Sequence, residues 1–100
     1  MDFQVRISNP ALADYILEYS WANSPANAES FGNAILNHID LLKTFPFIGN
    51  PVAGRVNVRQ LVHTPIRIYD SVREGPNVIE ILHFWHFSRK EDDTLGWIGA

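Results

Sequence analysis

The fold is decided by residues 66–86, whose sequence is IRIYDSVREGPNVIEILHFWH. In residues 66–72, apolar Ile66 and Ile68 alternate with Arg67, and residues 78–82 form a nearly continuous apolar run. Alternation with period two predicts a half-buried strand, and a continuous apolar run is typical of an interior strand covered on both faces. Residues 73–77 combine glycine, proline and asparagine, which favour a turn. The stretch therefore predicts an antiparallel hairpin with strands over about 66–72 and 78–86.

The segments that flank this hairpin on its N-terminal side predict two more strands. Val56 and Val58 alternate with polar residues, which predicts a strand over about 55–62. Residues 3–8 alternate in the same way and predict a first strand. Residues 47–51 contain glycine and proline, and we expect a loop there.

Two helices are predicted between the first strand and this loop. Asn9-Pro10 and Ser24-Pro25 both place a capping residue before a proline, which is tolerated at the first helical position. Apolar residues at helical spacing follow, so we predict one helix over about 10–22 and a longer one that ends before Pro46. Helices joined by so short a connection pack as an antiparallel hairpin.

The order of these elements predicts the fold class. A strand, two helices and three strands (β-α-α-β-β-β) favour an α+β fold, in which the helical hairpin packs on a mainly antiparallel sheet of about four strands. The 100 residues suit a single domain spanning residues 1–100.

Composition excludes several classes of protein. The chain has no cysteine, which excludes disulfides and thiolate zinc sites. It has no apolar run of the roughly 18 residues that a bilayer requires and no signal-peptide start, so we expect a cytoplasmic protein without a membrane partner. The net charge of −3 is unlike that of a general nucleic-acid binder.

An ordered set of residues along the chain resembles a known family. The set comprises Ala28-x-x-Phe31, Ile39-x-x-Leu42-x-x-x-Pro46-x-x-Gly49, Arg59-x-Leu61, Ile66-x-Ile68-Tyr69 and Ile81-Leu82-x-x-Trp85-His86-x-x-Arg89. It resembles the RelE/ParE superfamily of type II toxin–antitoxin toxins, also called plasmid stabilisation proteins, over about residues 3–90. The two long helices and the loop at 46–51 look more like the ParE branch.

This resemblance implies a function and its partners. A cognate antitoxin would wrap the toxin with its C-terminal segment, and growth would be inhibited when the antitoxin is lost. ParE-like members inhibit DNA gyrase, whereas RelE-like members cut mRNA on the ribosome. The resemblance therefore implies a toxin that binds a protein target such as gyrase, with a ribosome-dependent endoribonuclease as the alternative. No cofactor is expected, and operator DNA would be contacted only through the antitoxin.

Candidate catalytic residues follow from the alternative. Cleavage through a 2′-hydroxyl needs a proton acceptor, a proton donor and cations near the phosphate. His86, which matches the terminal-strand histidine of the family, is the first candidate for proton transfer, and His63 is the second. Arg67 and Arg89 are the candidate cations beside it, and Arg59 is a third. The competing interpretation makes His86 a structural residue that orients the chain end.

Candidate binding residues follow from the preferred interpretation. Arg59 and Arg67 occupy polar positions of adjacent predicted strands, and we expect them to share one sheet face if the strands pair around Thr64-Pro65. Two guanidinium groups side by side need an anion between them. That anion is a partner's carboxylate, an intramolecular carboxylate of Asp70 or Glu80, or a phosphate. His63 and Trp97 complete the candidate contacts with antitoxin or target.

The remaining histidines do not predict a metal site. By the two-residue period, His83 and Trp85 lie on one side of the last strand and His86 lies on the other. His38 and His63 lie elsewhere in the sequence, so no metal ligand set is expected. Phe84 and Trp85 are predicted to be core residues on opposite faces of the sheet.

Overall fold

The computed structural model describes residues 2–20 and 25–87, and it has the α+β architecture that the sequence predicts. Its elements are β1 (Gln4–Ile7), α1 (Asn9–Ser20), α2 (Pro25–Asp40), a 3-10 turn (Leu41–Lys43), β2 (Asn50–Pro51), β3 (Val58–His63), β4 (Ile66–Arg73) and β5 (Val78–His86). None of the described helices is long and apolar enough to cross a membrane.

The strands form one sheet in the order β1-β5-β4-β3-β2. β1 runs parallel to β5, and every other neighbouring pair is antiparallel. β4 and β5 form the predicted hairpin, in which the backbone N–H of Asn77 donates to the carbonyl of Glu74 at 3.2 Å. Asn77 has φ 56°, a left-handed conformation that asparagine tolerates better than most residues do. The apolar run at 78–82 belongs to β5, which lies between β1 and β4, so it is an interior strand as predicted.

In the part of the chain that the structure describes, the sheet has five strands where the sequence predicts about four. The extra strand is β2, whose Asn50 and Pro51 pair with Gln60 and Arg59 inside the segment expected to be a loop. Two residues carry no periodicity, and a proline is tolerated here because β2 lies at the sheet edge. Gly49 allows the approach, since a Cβ at this position would lie 2.9 Å from the carbonyl oxygen of Gln60.

The start of α1 also differs in detail from the prediction. Ser8, not Asn9, caps the helix, because its hydroxyl oxygen accepts the backbone N–H of Ala11 at 3.2 Å. The same hydroxyl donates to the carbonyl of Leu82 at 3.2 Å. One serine therefore satisfies an open N–H of the first turn and fastens the helix to β5.

Each face of the sheet has its own apolar cluster. The helix-facing cluster is buried beneath α1 and α2 and comprises Ala11, Ile35, Ile39, Leu42, Leu61, Ile66, Ile68, Val72, Ile79, Ile81 and Phe84. The opposite face carries a smaller buried cluster of Val58, Tyr69 and Trp85, against which Val52 and Leu82 pack. Phe84 and Trp85 thus lie on opposite faces, as predicted. Side-chain orientation on β3, β4 and β5 is fixed by these two clusters.

Candidate functional site

Arg59 lies on β3 near the edge of the sheet, on the helix-facing side. It is opposite Pro51 of β2 and Asp70 of β4. Its guanidinium carbon lies 5.1 Å from the centroid of the Phe47 ring, which is the distance of a cation–π contact. Phe47 belongs to the loop after the 3-10 turn and is 48% exposed, so the arginine head lies at the surface over an accessible ring.

Asp70 is the charged side chain directly across from Arg59, and it is completely buried. It lies between Ile68 and Val72 on the helix-facing side of β4, and neither of its carboxylate oxygens has a hydrogen-bond partner among the described residues. Burial raises the pKa of Asp70 to about 7, and the positive charge of Arg59 opposes that rise. An ionised carboxylate without hydrogen bonds is costly in such surroundings, so the protonated form is populated near neutrality.

A surface cavity of about 230 Å³ opens beside this pair. Both Arg55 and Arg59 line it, together with one acid, Glu74, so its charged lining carries a net +1. The remaining lining residues are Phe47, Pro51, Asn57, Val58 and Val72. Asp70 adjoins this lining, because Arg59 is its cross-strand partner and Val72 follows it by two positions. The arrangement can accept one anionic group between guanidinium groups and an aromatic ring.

Arg67 lies on the other face of the sheet, so the expectation that Arg59 and Arg67 share a face is wrong. In the register, Arg59 is opposite Asp70, whereas Arg67 is opposite Val62 and Trp85. The reason is the two-residue turn at 64–65, which pairs odd-numbered positions of β3 with even-numbered positions of β4. The guanidinium of Arg67 instead lies 4.9 Å from the centroid of the Phe87 ring.

The candidate catalytic residues do not converge within the part of the chain that the structure describes. His63 and His86 are both half-buried, and both pair with Ile66, one on each side. Ile66 is in the helix-facing cluster, so both histidines lie on the helix-facing side of the sheet, whereas Arg67 lies on the other side. Two strand spacings, about 10 Å, separate His63 from His86 along the sheet. Arg89 and Trp97 lie outside the described residues.

Two histidines that are distant in the sequence, His38 and His63, are in direct contact. His38 of α2 and His63 of β3 approach to 2.8 Å between their Nδ1 atoms. Burial lowers the pKa of His63, and the neighbouring His38 lowers it further. One ring must donate and the other accept, so the pair holds one proton between the two Nδ1 atoms. His38 continues the helical spacing of Phe31 and Ile35, and this was the available signal that it faces the sheet.

A second histidine joins α1 to β5. His83 Nδ1 lies 2.5 Å from the Oδ2 atom of Asp14, and both side chains are largely buried. Its ring also makes an edge contact with Trp85, with centroids 6.5 Å apart, as expected for side chains on one side of the strand. Among the described residues, no three His, Cys, Asp or Glu side chains gather closely enough to hold a metal ion.

Comparison with known families and structures bears on the family and the fold of this chain. The family model for the ParE toxin of type II toxin–antitoxin systems (parDE) matches residues 5–91. A chain of the chromosomal ParDE system from P. aeruginosa is 20% identical with a TM-score of 0.71, and the match covers 84% of this chain and 95% of that one. A chain of the RelBE2 complex from Mycobacterium tuberculosis is 16% identical with a TM-score of 0.68, covering 86% and 99%. The isolated E. coli RelE toxin is 13% identical with a TM-score of 0.66, covering 96% of each chain. Comparison with curated protein sequences gives no match.

Proposed function

Because the chain belongs to the ParE toxin family of type II toxin–antitoxin systems, we propose that it inhibits growth by binding a protein target such as DNA gyrase. We also propose that a cognate antitoxin neutralises it by covering the surface that binds. The family membership gives the class of protein. The positions of the side chains favour a binding mechanism over a cleaving one.

The observation that carries the choice is the separation of His86 from Arg67. Metal-free RNA cleavage needs a proton-transferring group and a cation within hydrogen-bonding distance of the same phosphate. His86 and Arg67 project from opposite faces of the sheet, since their cross-strand partners belong to different clusters. His63 is engaged with His38. Arg59 shares the face of both histidines, but its guanidinium lies over Phe47. This arrangement favours a toxin that acts by contact.

The charge of the chain also supports a protein target. At −3 it lacks the surplus of positive charge that provides most non-specific affinity for RNA. The cations that line the cavity are offset in part by Glu74. Isolated arginines of this kind suit contacts to acidic side chains of proteins.

The antitoxin would cover an apolar strip that runs from the end of α2 into the following loop. These exposed side chains are Leu36, Leu41, Phe45, Phe47 and Ile48, each between 40% and 56% exposed. A disordered antitoxin segment that folds on contact can cover such a strip and can pair with a sheet edge. In line with this proposal, structures similar to this chain come from a RelBE2 toxin–antitoxin complex and an archaeal RelE–RelB complex.

Arg59 adjoins this strip through Phe47 and is the first candidate to pair with acidic residues of the antitoxin. Arg67, His63 and Trp97 stay candidate contacts for antitoxin or target. Replacing Arg59 by alanine is expected to weaken the complex by roughly 2–5 kcal/mol if the pair is desolvated, mainly through faster dissociation. An unchanged dissociation rate would remove Arg59 from the interface.

Two assays run side by side test the target. Purified protein is added to a gyrase supercoiling reaction and, separately, to translating ribosomes whose mRNA is mapped for cuts. We expect inhibited supercoiling and intact mRNA. Codon-periodic cuts with normal supercoiling would overturn the proposal in favour of the endoribonuclease.

The variant His86→Gln sharpens this comparison. For a binding toxin it should leave inhibition within a few-fold of wild type, provided that the variant is folded. For a nuclease that uses His86 in proton transfer it should reduce cleavage about 10²–10⁴-fold. The matched control is Asp40→Asn, which removes an exposed surface charge that pairs with Lys43 at 2.7 Å.

A further inference from the structure

Arg59 has a carboxyl group on one side and an open cavity on the other. On the inner side, Asp70 is its cross-strand partner, and residues so paired have Cα atoms about 4.5–5.5 Å apart. On the outer side, the guanidinium lies over Phe47 at the cavity lining. Within residues 2–20 and 25–87, Arg59 forms no ion pair with a carboxylate. Its charge is therefore available to either side.

Among the described residues, Asp70 has no substitute for Arg59 in its surroundings. The titratable groups on elements packed against β4 and its neighbours are Arg59 and His63 on β3, Glu80, His83 and His86 on β5, Arg6 on β1, Asp14 on α1, Glu29, His38 and Asp40 on α2, and Lys43 on the 3-10 turn. His86 is opposite Ile66, four positions along β4 from Asp70, Arg6 is opposite Glu80, and Glu29 is exposed. His38 pairs with His63, His83 with Asp14, and Lys43 with Asp40. Glu80 is opposite Ser71 and so lies on the other face. Arg59 is the cation that acts on Asp70.

We propose that Arg59 is shared between two carboxylates, the buried one of Asp70 and one that an acidic segment of a protein partner places in the cavity. This inference deepens the antitoxin-binding part of the proposed function and rests on it for the identity of the partner. The two carboxylates compete, because turning the guanidinium toward one withdraws its charge from the other. Asp70 is thus a positioning residue, and its charge determines how strongly Arg59 binds the carboxylate of a partner.

A carboxylate suits this cavity better than a phosphate does. The lining holds two guanidinium groups and the carboxylate of Glu74, a net +1 that matches one carboxylate. A dianionic phosphate would be undercompensated, and a nucleic-acid backbone would also meet a chain of net charge −3. The Phe47 ring supplies an apolar wall for the methylene groups of an aspartate or glutamate side chain.

The competition couples binding to a proton. When Arg59 engages a partner, the ionised form of Asp70 loses its compensating charge and takes up a proton. The pKa of Asp70 before binding is about 7, so below that value the proton is already present and binding costs nothing extra. Above it, binding must take up the proton, and affinity should fall about tenfold between about pH 6 and about pH 8.

The test uses the whole chain and butyrate, a monocarboxylate, as the carboxylate probe. Butyrate is titrated at about pH 6 and about pH 8, and the side-chain N–H signal of Arg59, assigned with Arg59→Lys, reports binding by NMR. We expect the tenfold loss of affinity in the wild type and equal affinities in Asp70→Asn. The matched control is Glu80→Gln, which changes a carboxyl to an amide on the other face and should keep the wild-type dependence.

Further arms decide between carboxylate and other ligands. Inorganic phosphate and a short single-stranded RNA are titrated in the same way, and tighter binding of either than of butyrate would overturn the choice of ligand. A pH dependence that persists in Asp70→Asn would overturn the competition, because it would then come from other groups. Absence of butyrate binding would overturn the site while leaving the supercoiling result, and hence the proposed target, unaffected.

A second measurement covers the case in which Asp70→Asn fails to fold. The carboxyl carbon of Asp70 in the wild type is titrated by NMR with and without saturating butyrate. Butyrate should move the midpoint of that titration upward. An unchanged midpoint would overturn the proposal without recourse to any variant.

Discussion

Asp70→Asn should change how the stability of the protein depends on pH. Asp70 is completely buried, and within residues 2–20 and 25–87 its carboxylate oxygens have no hydrogen-bond partners. Burial raises its pKa from 3.8 to about 7. The folded protein therefore holds a proton on Asp70 at pH values where the unfolded chain has lost it.

The sign and the size follow from proton linkage. Between the two pKa values the folded state binds more protons than the unfolded state, so the free energy of unfolding decreases as pH rises through this window. The pKa rises by about three, and each step of one is worth about 1.4 kcal/mol, so the loss is up to about 4 kcal/mol and is complete above about pH 7. This is a large part of the roughly 5–15 kcal/mol that stabilises a typical domain. The amide that Asp70→Asn introduces does not titrate, so any cost of burying it is the same at every pH.

Urea denaturation followed by circular dichroism, repeated from about pH 4 to about pH 8, measures this effect. The stability of the wild type relative to Asp70→Asn should decline across the window and then level off. Taking the difference between the two proteins cancels the contributions of the histidines and surface carboxylates. Glu80→Gln, on the other face of the sheet, should give a curve parallel to wild type. Parallel curves for wild type and Asp70→Asn would refute the buried, unpaired carboxyl on which the reasoning rests.

Three further perturbations test other contacts. His63→Gln should reduce the loss of stability on acidification below about pH 6.5. Burial lowers the pKa of His63 in the folded state, so the unfolded chain takes up a proton there more readily and stability falls as pH decreases. Urea midpoints at about pH 5 and pH 7.5 check this, and an unchanged difference between them in His63→Gln would contradict it. Asp14→Asn weakens the contact with His83 that joins α1 to β5, and should cost about 1–3 kcal/mol in calorimetry, with no cost arguing against a buried pair. Leu42→Ala should cost about 2–5 kcal/mol because Leu42 is completely buried, while Leu41→Ala, at a side chain 48% exposed, should cost less than about 1 kcal/mol by the same measurement.

The sequence predicts those parts of the fold in which neighbouring residues repeat a pattern. The turn at 73–77 and the alternation on either side of it correctly predicted the β4–β5 hairpin. β2 escaped prediction because two residues have no period, and its pairing depends on the close approach of Gly49 to β3. α2 also ends earlier than Pro46 alone would require. α2 ends at Asp40, and the chain continues as a 3-10 turn at Leu41–Lys43. Pro46 sets only the latest position at which the helix can end.

The site was predictable in its residue types and not in its geometry. The sequence predicts Arg59 as a binding residue and offers Asp70 as one of its possible carboxylate partners. Which face Arg59 occupies depends on whether the turn at 64–65 pairs odd with even positions, and a shift of one residue reverses the outcome. The contact between His38 and His63 depends on how α2 lies across β3, a packing relation that no local pattern encodes.

The registers of β3–β4 and β4–β5 also bear on the proposed mechanism. Pairing β3 with β4 in the observed register brings Arg59 opposite the buried carboxyl of Asp70. A slip of one residue would place Arg59 on the face of Arg67 and leave Asp70 without a cross-strand cation. The β4–β5 register acts separately, because it places Arg67 opposite Trp85 and His86 opposite Ile66, on different faces of the sheet. The proposed binding mechanism therefore depends on two registers: one holds Arg59 between the buried acid and the open cavity, and the other separates Arg67 from His86.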